Sequence, residues 1–475
     1  MTRIARLSSN WSRVALTWLP FADAAGDHLP LSRLLRLALF QVSVGMTMVL
    51  LNGTLNRVMI VELGTPAWLV ALLIALPLLF APFRALIGHR SDTHRSVLGW
   101  RRVPYIWLGT MMQFGGLAIM PFALLLLGRE GDFALGLCAS ALAFLLAGAG
   151  LHTTQTAGLA LATDIAPEDK RPRAVALLYV MLLAGMMLSA LVVGSLLLEF
   201  SPTRLVQVIQ GAAVLTLALN VTALWKQEAR SAAVVAQDTP RPPFAEVWQH
   251  FTAERQTRRL LVAIGLGAAA FAMQDALLEP YGGEILGLSV GATTGLTAAW
   301  AFGTLTGFAL TVRKLDRGTD PMRIAGSGVA TGIAAFLLVI FAAPFGSPTL
   351  LAIGAATIGF GGGLFSVGTL LAAMALAQGG TSGIALGAWG AVQASCAGLA
   401  IALGGIMRDL VSRLAVADGL GATLADRATG YTTVYLVEII LLLATLVVAG
   451  PLVGRDRNHV PEQNAARFGL TEFPT

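Results

Sequence analysis

Cysteine is nearly absent from this chain. Its 475 residues contain two, Cys138 and Cys396. Both fall inside long apolar runs, which excludes a disulfide framework and a thiolate metal site and leaves them as small packing residues. Charged residues make up only 12%, about half the share usual in soluble domains. No glycine-rich phosphate loop ending in Lys-Ser/Thr occurs, so nucleotide-driven work within this chain is not expected. Six histidines, scattered, form no Cys/His cluster, and one buried histidine does not make a Ser-His-Asp arrangement. No basic patch is interleaved with aromatics, so no nucleic acid is expected as a partner. No enzymatic activity is expected.

Apolar residues dominate instead. They make up 56% of the chain, with a mean hydropathy of +0.74. About twelve runs are each long enough to cross roughly 30 Å of hydrocarbon as a helix of about 20 residues: 34–62, 66–88, 104–128, 133–163, 174–199, 203–225, 259–280, 290–312, 322–344, 348–377, 384–409 and 430–453. Continuous apolar runs rich in Gly and Ala favour helices over a barrel, whose strands would alternate. The expectation is an all-α integral membrane protein with twelve transmembrane helices. The first run continues as a full span, unlike a cleaved secretory signal. With both termini cytoplasmic, about 25 basic residues fall on that side and about five on the other, as the positive-inside rule requires. The formal net charge of +6 then describes a surface beside anionic headgroups of the lipid bilayer.

Residues 1–30 carry Ile4, Leu7, Trp11, Val14 and Trp18 at helical spacing beside Arg3, Arg6 and Arg13, the pattern of a cytoplasmic amphipathic segment; an irregular tail with snorkelling arginines is the alternative. A polar linker at 227–258, containing Pro240, Pro242 and Pro243, divides the spans into halves at 31–226 and 259–454. A tail at 455–475 completes the chain. The loop after the second span of each half is basic: Gly88 to Arg102, with Asp92, Arg101 and Arg102, and Arg313 to Asp320. The first resembles the Gly-x-x-x-Asp…Gly-x-Arg-Arg loop of the major facilitator superfamily, with extra residues between Asp92 and Gly99 and Thr93 in a usually basic position. That resemblance implies two six-helix halves.

Ionisable side chains inside a membrane run cost several kcal/mol unless they pair or face a cavity, which makes them candidate functional residues. The segment Gln274 to Glu284 holds three carboxylates. Asp275 and Glu279 stand one turn apart, roughly 22 and 28 Å along a helix counted from Leu260. Arg57 lies similarly deep in the first span, so a pair between Arg57 and Asp275 or Glu279 is expected to close the cavity on the periplasmic side. Two ionised carboxylates one turn apart repel, and the pair is expected to hold a proton. An interfacial cluster stabilising the helix end is the alternative. Asn52 and Asn56 share a face of the first helix, and His152 and Gln155 a face of the fourth. Gly148 and Gly150 remove bulk beside His152, where a flat ring or another helix fits. Gly359, Gly361, Gly362, Gly363 and Ser366 offer the same on the tenth helix, with tight helix packing as the alternative.

Three segments carry a closer likeness. They are Pro20 to Arg36 with Gly53 to Leu63, then Ala81 to Trp107, and Gln274 to Glu284. Together they resemble the PucC and LhaA family of photosynthetic bacteria, the bacteriochlorophyll-delivery branch of the major facilitator superfamily, over nearly the whole chain. The resemblance implies an assembly factor for light-harvesting antenna complexes in the bacterial cytoplasmic, or intracytoplasmic photosynthetic, membrane. It implies bacteriochlorophyll as cofactor, and as partners the light-harvesting α and β polypeptides, bacteriochlorophyll synthase and the membrane insertion machinery. His152, with Gln155, Gly148, Asn52 and Asn56 around it, is then the expected pigment contact, its imidazole axial to the pigment magnesium; a neutral histidine bonding across helices is the alternative. The competing function is a proton-coupled secondary transporter of a small amphiphilic solute.

Overall fold

A computed structural model describes residues 30–80, 100, 102–129, 131–167, 171–228, 253–375, 382–416 and 426–454. The expected amphipathic segment, most of the linker, the tail, and Gly88, Asp92 and Arg101 lie outside them. Twelve helices follow in order: α1 Leu31–Glu62, α2 Ala67–Leu78, α3 Val103–Leu127, α4 Phe133–Ile165, α5 Arg171–Leu196, α6 Pro202–Leu224, α7 Arg255–Glu284, α8 Val290–Asp316, α9 Pro321–Ala342, α10 Pro348–Ala375, α11 Ser382–Val416 and α12 Ala428–Ala449. Eleven of the described helices are long and apolar enough to cross a membrane, and α2 is the shorter apolar one. No strand occurs among the described residues. Hydrocarbon leaves backbone groups no partner but the helix itself, so the composition and the architecture have one cause.

Turns are set by local chemistry. Ser201, Ser289 and Asp320 cap α6, α8 and α9 by accepting from Arg204, Ala292 and Met322 amides at 3.2, 3.2 and 2.8 Å. We call the end of the bundle bearing Leu31 the near end and the end bearing Glu62 the far end. Two helices depart from regular geometry. In α1, Val49–Thr54 and Val58–Glu62 are π-helical, wide turns that recur at functional sites. In α7, Met273–Ala276 forms a 3-10 turn.

Small residues bring the halves together. A Cβ on Gly194 of α5 would lie 2.9 Å from the Gly291 carbonyl of α8, and one on Gly405 of α11 would lie 2.8 Å from the Ala67 carbonyl of α2. Both contacts sit at the far end. Within the first half, a buried polar network joins α1, α3 and α6. Ser43 Oγ and Asn220 Oδ1 meet at 2.6 Å, and Asn220 donates to Thr110 at 2.9 Å. Gln113 donates to the Ser43 carbonyl at 3.0 Å. Interhelical bonds of this kind hold bundles in which lipid is as apolar as leucine.

Candidate functional site

Pro280 explains the break in α7. It has no N–H for the carbonyl of Ala276, and its ring crowds that carbonyl, so the helix yields in the preceding turn. The yielded turn exposes backbone that α1 takes up. Asn56 Nδ2 donates to the Asp275 carbonyl at 3.1 Å and to the Asn52 carbonyl at 2.5 Å. Gln274 Nε2 donates to its neighbour's carboxylate, Asp275 Oδ1, and to the Phe271 carbonyl at 3.3 Å. Asn56 therefore belongs to a contact between α1 and α7, and the Asn52 carbonyl helps to hold it there.

The expected ion pair across that contact is replaced by another. Arg57 bonds to Glu62 of its own helix and to the Leu288 carbonyl at 3.0 Å, with no direct bond to Asp275 or Glu279. The π turn between them is the reason: five residues make nearly one wide turn, which returns Glu62 beneath Arg57. Glu279 accepts from Thr297 of α8, and Arg57 acts on it only through space. Gly53 permits this approach, since a Cβ there would lie 2.6 Å from Glu279 Oε1 and 2.8 Å from Thr297 Oγ1. Asp275 and Glu279 are not one continuous helical face. Asp275 lies in the 3-10 turn and is bound within α7, while Glu279 lies in the helix beyond it and is bound to α8.

A second ionic cluster closes the far end, with Arg408 at its centre. Its guanidinium bonds to Glu284 of α7, to Asp409 at 2.7 Å and to the Tyr431 hydroxyl of α12 at 3.0 Å. Tyr431 in turn donates to Glu284 at 2.9 Å, and Arg408 lies over its ring, 4.5 Å from the centroid. Asp409 Oδ2 accepts from the amide of Trp68 at 2.9 Å, in the first turn of α2, where helix partial charge favours an anion. One arginine thus ties α7, α11 and α12 together, and its neighbour reaches α2 in the other half. Behind it, Tyr281, Tyr431 and Tyr435 are fully buried, with ring centroids 5.4 Å apart in each pair that includes Tyr281. The Tyr281 hydroxyl donates to the Val339 carbonyl of α9 at 3.1 Å.

His152 and Gln155 are buried in α4, 6% and 5% exposed. The glycines near them serve helix packing. A Cβ on Gly148 would run into Pro77 of α2, and one on Gly150 would lie 2.6 Å from the Gly109 carbonyl of α3. A tetrapyrrole therefore does not fit against Gly148 and Gly150 in this conformation, because protein fills that space. The tenth-helix glycines behave alike. A Cβ on Gly361 would lie 2.7 Å from the Gly328 carbonyl and one on Gly363 2.9 Å from the Thr304 carbonyl, while one on Gly362 would meet the Phe271 ring at 3.6 Å. Of the loop motif, Arg102 is described. It is 5% exposed and pairs with Asp164 at the end of α4 at 2.9 Å, while Glu228 accepts from the amides of Arg102 and Val103 at 3.1 and 2.9 Å. Arg408, Glu438 and the α1–α3–α6 network are absent from the candidate residues drawn from sequence. Arg408 and Glu438 carried a signal, being ionisable groups within apolar runs.

Twelve apolar helices in two halves, with a broken α7 and far-end ionic contacts, define a multi-pass membrane protein of major facilitator type. Its backbone resembles the crystal structure of a bacterial homolog of the human lysosomal transporter Spinster, inward-facing and unoccupied, with a TM-score of 0.69 and 16% identity over 90% of this chain and 98% of that one. That likeness shows the fold. The family described as PUCC protein matches residues 54–457, and the chain belongs to that family. It is 56% identical to Protein PucC of Rhodovulum sulfidophilum over 86% of this chain and 92% of that protein. It is 55% identical to an uncharacterized protein in the puhA-bchM intergenic region of Rhodobacter capsulatus, over 97% and 98%.

Proposed function

We propose that this protein is a non-catalytic assembly factor for photosynthetic light-harvesting complexes. In this reading it holds antenna α and β polypeptides as they enter the membrane and receive bacteriochlorophyll, beside bacteriochlorophyll synthase and the insertion machinery. The observation that carries the reading is family membership over most of the chain, at 56% identity to a PucC protein from a photosynthetic bacterium. The membrane is the bacterial cytoplasmic or intracytoplasmic one, and the near end faces the cytoplasm with both termini. Supporting that orientation, Arg33, Arg36, Lys226, Arg255, Arg258 and Arg259 all lie at the near end, as basic residues do on the cytoplasmic side.

Bacteriochlorophyll is carried in this proposal as the pigment of the client complex. A macrocycle can lie against Gly148, one turn from His152, only if Pro77 of α2 moves. The test is a purification from photosynthetically grown cells, scored for near-infrared absorbance and for co-purifying polypeptides. Antenna polypeptides retained with the protein support the assembly role, and pigment lost in His152→Ala assigns the axial contact. Protein that carries neither, and drives uptake of an amphiphile into vesicles along a proton gradient, would refute the assembly role in favour of transport.

A further inference from the structure

Glu438 is the least accommodated charged group among the described residues. It sits on α12, about 15 Å from the Ala428 end by helical rise, is 0% exposed, and neither carboxylate oxygen has a hydrogen-bond partner. Asp275 acts on it through space, and the backbone of Gln274 approaches it without reaching bonding geometry. The hydroxyl of Tyr435, one turn away on the same helix, and Asn56 Oδ1, held at the α7 break, are also buried without partners. Unsatisfied oxygens from α1 and α12 therefore collect around the yielded turn of α7.

Among the described residues no basic side chain neutralises these acids. Arg408 is committed to Glu284, Asp409 and Tyr431, and Arg57 to Glu62 and Leu288. Glu279 is turned to Thr297 of α8. Of the helices packed on α12, α7 bears Arg255, Arg258 and Arg259 at its near end, where Arg259 donates to the Val448 carbonyl; α9 bears only Arg323, also at its near end, and α11 adds Cys396 and Arg413 to the pair already named. An ionised carboxylate buried alone costs far more than any single contact returns. Oxygen-only donors suit a hard cation, and among the described residues no three His, Cys, Asp or Glu converge as a multivalent metal would require. Broken helices whose freed backbone meets a buried acid are where membrane bundles hold sodium or protons. Asp275 keeps partial exposure, whereas Glu438 has none.

We propose that the break in α7 and the facing side of α12 form a binding site for one exchangeable small monovalent cation, sodium or the proton, held by Glu438 and Asp275. Occupancy fastens α12 to the α7 turn that Asn56 ties to α1, so it bears on the contact between the halves. The site does not depend on which cargo or client the protein serves.

The test is thermal unfolding of the purified full-length protein in detergent, followed by tryptophan fluorescence. NaCl replaces choline chloride at constant ionic strength in one arm, and pH is lowered in choline alone in the other. Sodium occupancy raises Tm by several degrees in the first arm, with no equal rise for potassium. Proton occupancy raises it in the second arm and leaves sodium silent. Either response must vanish in Glu438→Gln and weaken in Asp275→Asn, the second variant serving if the first does not fold. Equal responses in wild type and both variants, or no response in either arm, overturn the proposal.

Discussion

Replacing Arg408 with methionine keeps most of the side chain's volume and removes its charge. The structure assigns this guanidinium to two carboxylates, one tyrosine hydroxyl and one aromatic face. Removing one partner of a buried pair strands the other, at about 3–5 kcal/mol. Glu284 and Asp409 side chains are 22% and 10% exposed, and that partial solvation moves the expectation to the lower end, about 3 kcal/mol. Asp409 keeps its bond from the Trp68 amide, so the stranded charge falls chiefly on Glu284. Glu284→Gln in the Arg408→Met background should therefore recover part of the loss, with a coupling of at least about 1 kcal/mol in the double-mutant cycle. Urea unfolding in detergent, together with monodispersity on gel filtration, measures both. An Arg408→Met protein as stable as wild type, or a double variant no better than the single, would show that the cluster does not hold α7, α11 and α12 together.

Further expectations follow from single contacts. Gly303→Ala should force α8 from α10, because the new methyl meets Ala356 carbonyl carbon at 2.8 Å and the Phe360 amide at 2.9 Å; overpacking of this kind costs about 1–3 kcal/mol and shows as a lower denaturant midpoint. Asn220→Ala removes bonds to Ser43 and Thr110, and at about 0.6 kcal/mol for each interhelical bond the loss should be near 1 kcal/mol by the same measurement. Glu228→Ala leaves the amides of Arg102 and Val103 without their acceptor at the start of α3, which has no side-chain cap of its own. Faster amide exchange confined to residues 102–105 is the expected signature, with about 1 kcal/mol of lost stability.

Helix number and class were legible because hydrocarbon imposes one rule on every span, and family because three segments depart from plain apolar sequence in a recognisable way. The candidate site was less so. Depth counted at a fixed rise assumes unbroken helices, and both helices carrying the key residues break that assumption. Pro280 carries a signal for a break in α7, yet where a helix yields depends on which partner takes up the exposed backbone, here Asn56 of α1 at the Asp275 carbonyl. The partner of Arg57 turned on π geometry, which no residue in Val58–Glu62 signals. Arg408 stood one residue from the end of an expected span at 384–409, where snorkelling would explain it; α11 continues to Val416 and leaves it partly buried. Glu438 stands alone in its run, and one acid draws less weight than three within Asp275 to Glu284.

The wide turns of α1 give the chain a length it could lose. Each π turn accommodates a surplus residue, so deleting one position within Val49–Thr54 would restore regular helix without breaking it. Because a wide turn winds less per residue than an α-helix, the residues on either side would keep their facing. Asn56 would still meet the Asp275 carbonyl, and the near half of α1 would keep its bonds to α3 and α6. A relative one residue shorter here should therefore retain the asparagine, and the link between α1 and α7 with it.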